Sequence, residues 1–360
     1  MNSQNKNIKN VNKENNIYLF KNKNKEITKN QKTKKNNFNL LDSNKRENFQ
    51  NNSLLSKNVT INNVNNNVKK NKNVLNIKLE IKENKKYIKN PIEEDNEDIM
   101  KNLFIDEINN RPDYKQLMKI LSIKDIENRY SCLNFIISLS EIFKFRQETI
   151  YLAINLYDRF LLYLKLSNKL NNISLRLVFI ACIFIASKYE EIYPPILDDY
   201  LEFFTFQKED IFKCEYEILD YTKFNLHICS PYLFLTKFYD VMKNYESPKI
   251  LHGAQFIMDL CIMSLEFCIY KPSFQAVISL YLSIKFFNNQ IYRLKLWSLE
   301  NEYITGYSED EIKRNLILPI KMIKQFYSGN IIKEIDKTPI FAKYKSNKYS
   351  KVAILLKNLL

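Results

Sequence analysis

The chain has 360 residues, of which 45% are hydrophobic, and it carries a formal net charge of +15 at pH 7. The charge lies in one region, because residues 1–90 contain 21 Lys and Arg against 6 Asp and Glu, whereas the remainder contains 34 of each. A neutral remainder argues against a nucleic-acid-binding fold. With no signal-peptide pattern and no apolar stretch long enough to span a membrane, we expect a soluble, intracellular protein.

The N-terminal segment, residues 1–90, is dominated by Asn and Lys, and its scattered hydrophobic residues follow no sustained period of 2 or 3.6. Such a segment cannot bury enough apolar surface to offset the entropy that is lost on folding. We therefore predict that residues 1–90 are disordered. An Asn and Lys bias also arises from an AT-rich genome, without any selection for binding.

From residue 91 onward, the hydrophobic pattern is helical and strand-like alternation is absent. A first helix is predicted at 94–108, where acidic residues suit the positive end of the helix dipole. Five helices are then predicted at 123–144, 147–164, 173–190, 207–222 and 231–244. A second set is predicted at 248–269, 272–287, 291–302 and 309–328. Since each set centres on a strongly apolar helix, we predict an all-α protein in which a five-helix unit is used twice in tandem.

The end of the helix predicted at 173–190 carries the most informative pattern. An apolar run leads into Ala-Ser-Lys-Tyr-Glu-Glu-Ile-Tyr-Pro-Pro at 186–195. A lysine that emerges from such a buried helix seldom serves only as a solvated surface charge, so we expect Lys188 to have a partner outside the helix. Glu190 and Glu191 are predicted to form a solvated helix end.

Three further segments accompany this one: Glu-Thr-Ile-Tyr-Leu-Ala-Ile-Asn-Leu-Tyr-Asp-Arg-Phe-Leu at 148–161, Lys-Cys-Glu-Tyr-Glu-Ile-Leu at 213–219, and Lys-Tyr-Lys-Ser-Asn-Lys-Tyr-Ser-Lys-Val at 343–352. Together they resemble the cyclin box and the second cyclin fold of A- and B-type mitotic cyclins. The resemblance implies two tandem five-helix cyclin folds. It divides the chain into the disordered tail at 1–90, an N-terminal cyclin box with its N-terminal helix at 91–229, and a C-terminal cyclin fold at 230–355.

The resemblance also implies a function. The chain would be a regulatory subunit, present in the nucleus and cytoplasm, that binds and activates a cyclin-dependent protein kinase in cell-cycle, and specifically mitotic, control. Lys188 and Glu215 occupy the positions that hydrogen-bond the kinase backbone just before its helix C. An ammonium group supplies donors and a carboxylate supplies acceptors, which suits that task. The alternative for these two residues is an internal Lys–Glu ion pair.

Other residues take their expected roles from the same resemblance. Those that resemble the apolar surface packed against the kinase are Tyr189, Ile192, Leu219, Phe224, Leu226 and Ile99. Without the family pattern, any one of them could equally belong to the core. Arg129 and Asp158 resemble a pair that bridges helices inside the box, so their predicted role is structural.

One site departs from the family pattern, namely the hydrophobic patch with which mitotic cyclins dock Arg-x-Leu peptides. At the matching positions this chain has Cys132, Phe135 and Leu175, so the apolar floor is thinned. The acidic partner for the peptide arginine is missing, and Arg176 adds positive charge where a basic peptide would lie. We predict a degenerate substrate-docking patch with weak or altered peptide binding.

Two triplets in the tail, Lys13-Glu14-Asn15 and Lys82-Glu83-Asn84, are similar to the KEN degradation signal that is read by the mitotic ubiquitin ligase. Chance is a serious competitor, because the surrounding segment is rich in Lys and Asn. Timed proteolysis through that ligase is therefore a hypothesis that rests on these two triplets alone.

Catalytic chemistry is not indicated. His227 and His252 stand alone, no Gly-rich phosphate loop is present, and no Cys or His spacing is typical of a metal site. We predict a protein that is not an enzyme and needs no cofactor. The competing hypothesis is a cyclin-fold transcription regulator, either a cyclin of a transcription kinase or a basal transcription factor. The zinc ribbon of the latter is not found, and the neutral folded region lacks the clustered Lys and Arg that bind phosphates.

Overall fold

The computed structural model describes residues 91–169, 173–242, 247–288, 296–328 and 335–359. All regular secondary structure within these ranges is helical, which confirms the predicted fold class, and residues 95–360 form one compact unit. None of the described helices combines the length and the apolar composition needed to cross a membrane. The tail predicted to be disordered, residues 1–90, lies outside the described residues.

Helices account for most of the described chain. Those of the N-terminal half are α1 (Pro91–Asp106), α2 (Tyr114–Ile120), α3 (Ile123–Phe143), α4 (Gln147–Leu166), α5 (Leu175–Glu190), α6 (Leu197–Leu201) and α7 (Lys208–Thr222). Those of the C-terminal half are α8 (Pro231–Val241), α9 (Pro248–Cys261), α10 (Leu265–Cys268), α11 (Pro272–Phe287), α12 (Leu299–Thr305), α13 (Glu309–Arg314), α14 (Ile317–Tyr327), α15 (Pro339–Tyr344) and α16 (Val352–Leu359). Two short 3₁₀ helices flank α15, at Ile335–Lys337 and Asn347–Tyr349.

Each half is built around one helix of 16 residues, α5 in the first and α11 in the second. Helix α5 packs against α4 and α7, and helix α11 packs against α8 and α9. In α5, every residue of 178–187 is buried, and Lys188 is the first exposed residue after this run. In α11, every residue of 272–284 is buried and the run again ends at an exposed lysine, Lys285. Both central helices therefore carry a lysine from the core to the surface.

Two of the predicted helices are wrong as single elements. The helix predicted at 309–328 is divided into α13 and α14, because Pro319 has no N–H and its ring would clash with the carbonyl of Asn315 in a continuous helix. The helix predicted at 248–269 is divided into α9 and α10. Between these two helices, the carbonyl oxygens of Ile262 and Met263 accept hydrogen bonds from Arg129 Nη1, both at 3.1 Å.

Smaller differences concern helix ends and short helices. The helix predicted at 291–302 begins at Leu299 in the described residues, and 289–295 lie outside them. The short helices α2, α6, α15 and α16 were not predicted from the periodicity, since segments of five to eight residues give too few turns for a clear period.

The segment after α1 attaches to the C-terminal half through buried polar contacts. Arg111 Nη2 donates to the carbonyl oxygens of Cys268, Ile269 and Tyr270 at 2.6–2.9 Å. The buried carboxylate of Glu107 accepts hydrogen bonds from the N–H and hydroxyl groups of Ser273 at the start of α11. These contacts give free carbonyl and N–H groups at helix ends the partners that they lack within the helices.

Near its C-terminal end, the chain is held by a buried cluster around Asp259 of α9. Lys343 Nζ lies 3.0 Å from Asp259 Oδ2, and the hydroxyl group of Tyr344 donates to the same oxygen at 2.7 Å. Tyr151 of α4 donates to Asp259 Oδ1 at 2.8 Å. The cluster therefore connects α15 with helices of both halves.

Candidate functional site

The two charged residues expected to bind a partner lie together where α5 ends beside α7. Lys188 Nζ forms an ion pair with Glu215 Oε1, and the lysine side chain is 42% exposed while the glutamate side chain is 11% exposed. The structure thus adopts the internal Lys–Glu pair that the sequence left as the alternative. It places this pair at the surface, since the lysine side chain remains partly exposed.

The ammonium group of Lys188 has a second contact that fixes its position. Nζ lies 4.1 Å from the ring centroid of Phe184, one helical turn earlier on α5, and this distance is suited to a cation–π interaction. The ring of Phe184 lies 6.5 Å from that of Phe212 on α7. The ammonium group of Lys188 therefore lies beside an aromatic side chain of α5, which in turn lies near one of α7.

The pair retains unused hydrogen-bonding capacity. An ammonium group has three donors and a carboxylate has several acceptor sites, and the ion pair uses one of each. A foreign backbone segment could bind its carbonyl oxygens to Lys188 and its N–H groups to Glu215 without breaking the existing pair. The arrangement can therefore recognise main chain.

Four of the apolar residues expected beside this pair are exposed: Tyr189, Ile192, Phe224 and Ile99. The other two, Leu219 and Leu226, are partly buried and pack against the core. Ile192 is 82% exposed and Phe224 is 70% exposed, so both side chains are available to pack against a partner.

Sequence reasoning missed further exposed apolar residues in this region, namely Tyr193, Ile196, Phe212 and Tyr216. A signal for two of them was available. On α7, Phe212 and Tyr216 are four residues apart, a spacing that places their side chains on one face of the helix. The double proline at 194–195 likewise exposes Tyr193, which is 92% exposed.

Phe224 is held outward by an unusual turn at the end of α7. Lys223 and Phe224 both have positive φ angles, 52° and 59°, in the left-handed region that non-glycine residues seldom adopt. Each such residue costs about 1–2 kcal/mol. The N–H of Phe224 donates to the carbonyl oxygen of Leu219 at 3.1 Å, which closes the turn. A strained turn that presents an exposed ring is expected where the ring contacts a partner.

The prediction that Glu190 and Glu191 form a solvated helix end is wrong. Glu191 Oε1 accepts hydrogen bonds from the backbone N–H of Arg146 and from the hydroxyl group of Thr149, so it caps the start of α4. Glu190 is half-buried, and burial together with the nearby carboxylate of Glu148 raises its pKa. Glu191 therefore connects the end of α5 with the start of α4.

Arg129 and Asp158 form a buried, bidentate pair between α3 and α4, with N–O distances of 2.7 and 2.8 Å. Their side chains are 1% and 0% exposed. Burial lowers the pKa of Arg129, but the Asp158 carboxylate outweighs this effect, so the pKa is raised overall. Arg129 Nη1 also bonds the backbone between α9 and α10, which extends its reach beyond the box helices that the sequence indicated.

The residues at the degenerate docking patch have little exposed apolar surface. Cys132 is buried, and burial raises the pKa of its thiol to about 12. Phe135 packs edge-on against Phe204 with ring centroids 4.9 Å apart, and Leu175 is partly buried. The weak peptide docking at these positions stays a prediction.

The KEN-like triplets, Lys13-Glu14-Asn15 and Lys82-Glu83-Asn84, lie outside the described residues. Within the described ranges, no three His, Cys, Asp or Glu side chains are grouped closely enough to hold a metal ion. All six cysteines are buried free thiols.

Comparison with known families gives matches to both halves of the chain. Residues 98–227 match the cyclin N-terminal domain and residues 229–358 match the cyclin C-terminal domain. The two matches meet at the connection between α7 and α8, and the exposed face described above lies in the first of them.

Relatives and a solved structure agree with these matches. "Cyclin-A1-4" of Oryza sativa subsp. japonica is 30% identical over 191 residues, which cover 52% of each chain. "Cyclin-A1" of Xenopus laevis is 30% identical over 62% of this chain and 50% of the relative. "G2/mitotic-specific cyclin-B3" of Gallus gallus is 28% identical over 63% of this chain and 56% of the relative. The chain spans about half the length of the curated relatives it matches.

A viral cyclin from herpesvirus saimiri has a similar fold. It superimposes with a TM-score of 0.52 at 18% identity, covering 63% of this chain and 97% of the viral chain. At this identity the similarity concerns the fold alone.

Proposed function

This chain belongs to the cyclin family, with A- and B-type relatives, and on that premise we propose that it binds a cyclin-dependent protein kinase and activates it. Cyclins are regulatory rather than catalytic proteins. The observation that carries the proposal is the Lys188–Glu215 pair, which stands at the surface among exposed aromatic and aliphatic side chains.

The proposed contact combines main-chain recognition with burial of apolar surface. Lys188 would donate to carbonyl oxygens of the kinase, and Glu215 would accept from its N–H groups. Tyr189, Ile192 and Phe224 would pack against the kinase helix that carries its conserved glutamate. An interface of this kind buries on the order of 2,000 Å² in total.

Activation follows from differential binding. The rigid helical face would bind the kinase more tightly when the kinase helix is turned inward, with its glutamate paired to the ATP-aligning lysine. The difference in binding free energy between the two kinase conformations sets how far the equilibrium moves. The chain itself performs no chemical step in this mechanism.

The ion pair explains how such a face can exist in the free chain. The Glu215 side chain is 11% exposed, and the ion pair with Lys188 gives its carboxylate a partner within the free chain. On binding, both groups keep each other as partners and add backbone partners, so the kinase does not have to separate them.

The proposal also covers when the chain acts, where it resides and how it is degraded. We propose action in mitosis, residence in nucleus and cytoplasm, and degradation through the KEN-like triplets by a ubiquitin ligase. The test is the half-life of the chain through mitosis with both triplets replaced by alanine. A longer half-life supports the signal, and unchanged decay contradicts it.

The kinase proposal is tested by purifying the kinase that accompanies the chain in dividing cells and measuring its binding and activity with single variants. Lys188→Ala and Glu215→Ala should each weaken binding by about 30-fold to 4,000-fold, which corresponds to about 2–5 kcal/mol. Lys165→Ala is the matched control, since it breaks a Lys–Asp pair between α4 and α3. The proposal fails if both face variants bind and activate like the parent.

A further inference from the structure

The C-terminal half has an open groove where α11, α13 and α14 meet, and its charge differs from that of the kinase-binding face. Four lysines, Lys285, Lys313, Lys321 and Lys324, line this groove, and all four are exposed. No aspartate or glutamate is among its lining residues. The groove is therefore strongly basic, although the region from residue 91 onward has no net charge.

The lysines surround an apolar floor. The groove is also lined by three aliphatic side chains, Leu316, Ile317 and Ile320. Of these, Ile317 is 78% exposed. Ile317 is therefore open to a partner, and burying it there would remove apolar surface from water. The groove has the composition of a site for a ligand with both apolar and anionic groups.

The groove contains the lysine that ends the buried run of the second central helix, so it can be compared with the site of Lys188 in the first half. Lys188 and Lys285 are each residue 14 of a 16-residue helix, and each follows a long buried run. Lys188 faces Glu215 of α7. In the second half, Lys285 lines the groove together with Lys313, Lys321 and Lys324.

The lysines of the groove have few anionic partners in the chain. Lys313 pairs with Glu309 at 3.2 Å, and Glu309 in turn accepts a hydrogen bond from Tyr281. For the other three lysines, no ion pair is found among the described residues. The carboxylate that balances Lys188 in the first half thus has no counterpart at Lys285.

The start of α14 adds to the positive potential of the groove. Helix α14 has no side-chain cap at Leu316 and no acidic residue in its first turn. Helix α13, in contrast, has Ser308 as a cap and three acidic residues in its first turn. The partial positive charge of the α14 N-terminus is therefore not offset where Leu316 and Ile317 line the groove.

We propose that this groove docks an acidic peptide segment of a partner protein, one in which Asp or Glu residues flank apolar side chains. The chain's own N-terminal tail cannot be the occupant, because its 21 basic residues against 6 acidic ones would be repelled. Single-stranded nucleic acid is disfavoured, since the floor offers aliphatic side chains and not exposed aromatic rings for bases to stack on. This surface lies outside the residues proposed to bind the kinase.

The proposal is tested by selecting peptides from a random phage-displayed library with the full chain as bait. We expect the selected peptides to be enriched in Asp and Glu beside Leu, Ile or Phe. Their affinity should fall at least 10-fold in the triple variant K285E/K321E/K324E. It should also fall as salt is raised from about 0.05 M to about 0.5 M, which screens exposed charges.

Two controls separate the possible outcomes. The neutral variant K285Q/K321Q/K324Q should bind the peptides with intermediate affinity, and unchanged circular dichroism and kinase binding show that the variants are folded.

The proposal is overturned if no peptide is selected, if the selected peptides lack acidic residues, or if charge reversal leaves their affinity unchanged. Binding of a single-stranded oligonucleotide that competes with the peptides also contradicts it. Since kinase binding is measured separately, failure of the kinase proposal leaves this result interpretable.

Discussion

Two ion pairs differ in burial: Lys188–Glu215 at the end of α5 is partly exposed, whereas Arg129–Asp158 between α3 and α4 is buried. The Lys188–Glu215 side chains are 42% and 11% exposed, whereas those of Arg129 and Asp158 are 1% and 0% exposed. The buried pair has all of its partners within the chain, including carbonyl groups near α9. The exposed pair keeps donors and acceptors for another molecule. The buried pair can therefore maintain the fold, whereas the partly exposed pair is available for binding.

The largest effect on stability is expected for Arg129→Ala. The substitution leaves the carboxylate of Asp158 buried without a partner, so the free energy of unfolding should fall by about 3–5 kcal/mol. Urea unfolding measures the loss. A loss below about 1 kcal/mol would mean that the interior tolerates the unpaired carboxylate and would remove the contrast with the exposed pair.

A smaller loss is expected at the buried cluster of Asp259. Lys343→Met removes the ammonium group and keeps the apolar stem, while Tyr151 and Tyr344 still donate to the carboxylate. The free energy of unfolding should fall by about 2–3 kcal/mol, because hydrogen bonds satisfy part of the charge. If Lys343→Met is as damaging as Arg129→Ala, the remaining tyrosine hydrogen bonds contribute nothing.

The exposed pair should matter little for stability. Lys188→Ala should lower the free energy of unfolding by about 1 kcal/mol or less, as is usual for partly solvated pairs. The measurement is the same urea titration that is used for Arg129→Ala. A loss of the same size in both variants would show that Lys188 maintains the fold and would break the comparison.

The smallest effect concerns pH and Asp125, whose side chain accepts a hydrogen bond from the N–H of Ser122 at the start of α3. Burial raises the pKa of Asp125, but its contacts with Lys165 and Ser122 lower it more, so the pKa is lowered overall. This carboxylate therefore stabilises the fold above the unfolded pKa of about 3.9, and the contribution of roughly 1 kcal/mol disappears as the pH falls through the lower folded value. Asp125→Asn should be less stable than the parent at pH 7 and nearly equal to it near pH 2. A constant difference would contradict the assignment.

Much of the fold could be predicted from periodicity and composition. The apolar run before Lys188 predicts a helix at 173–190, and the structure has the buried central helix α5 at Leu175–Glu190. The break between α9 and α10 could not be predicted, because it depends on Arg129, which is more than a hundred residues away in the sequence and bonds the carbonyls at the break. The division at Pro319 was predictable from the proline itself and was overlooked.

The candidate site was predictable in part. The residues at positions 188 and 215 were identified, but their mutual pairing in the free chain depends on how α5 packs against α7. Exposure of Ile196 likewise depends on the path of the chain after the double proline. The basic groove was not predicted, because Lys285 and Lys321 are distant in sequence and charge counts over the whole region conceal them.

The most direct test of the central claim is a calorimetric titration of the purified kinase with the chain carrying Lys188→Ala, beside the Lys165→Ala control. The account predicts that binding weakens by about 2–5 kcal/mol for Lys188→Ala and is unchanged for Lys165→Ala, while both variants stay folded. Equal affinity of Lys188→Ala and the parent chain would contradict it.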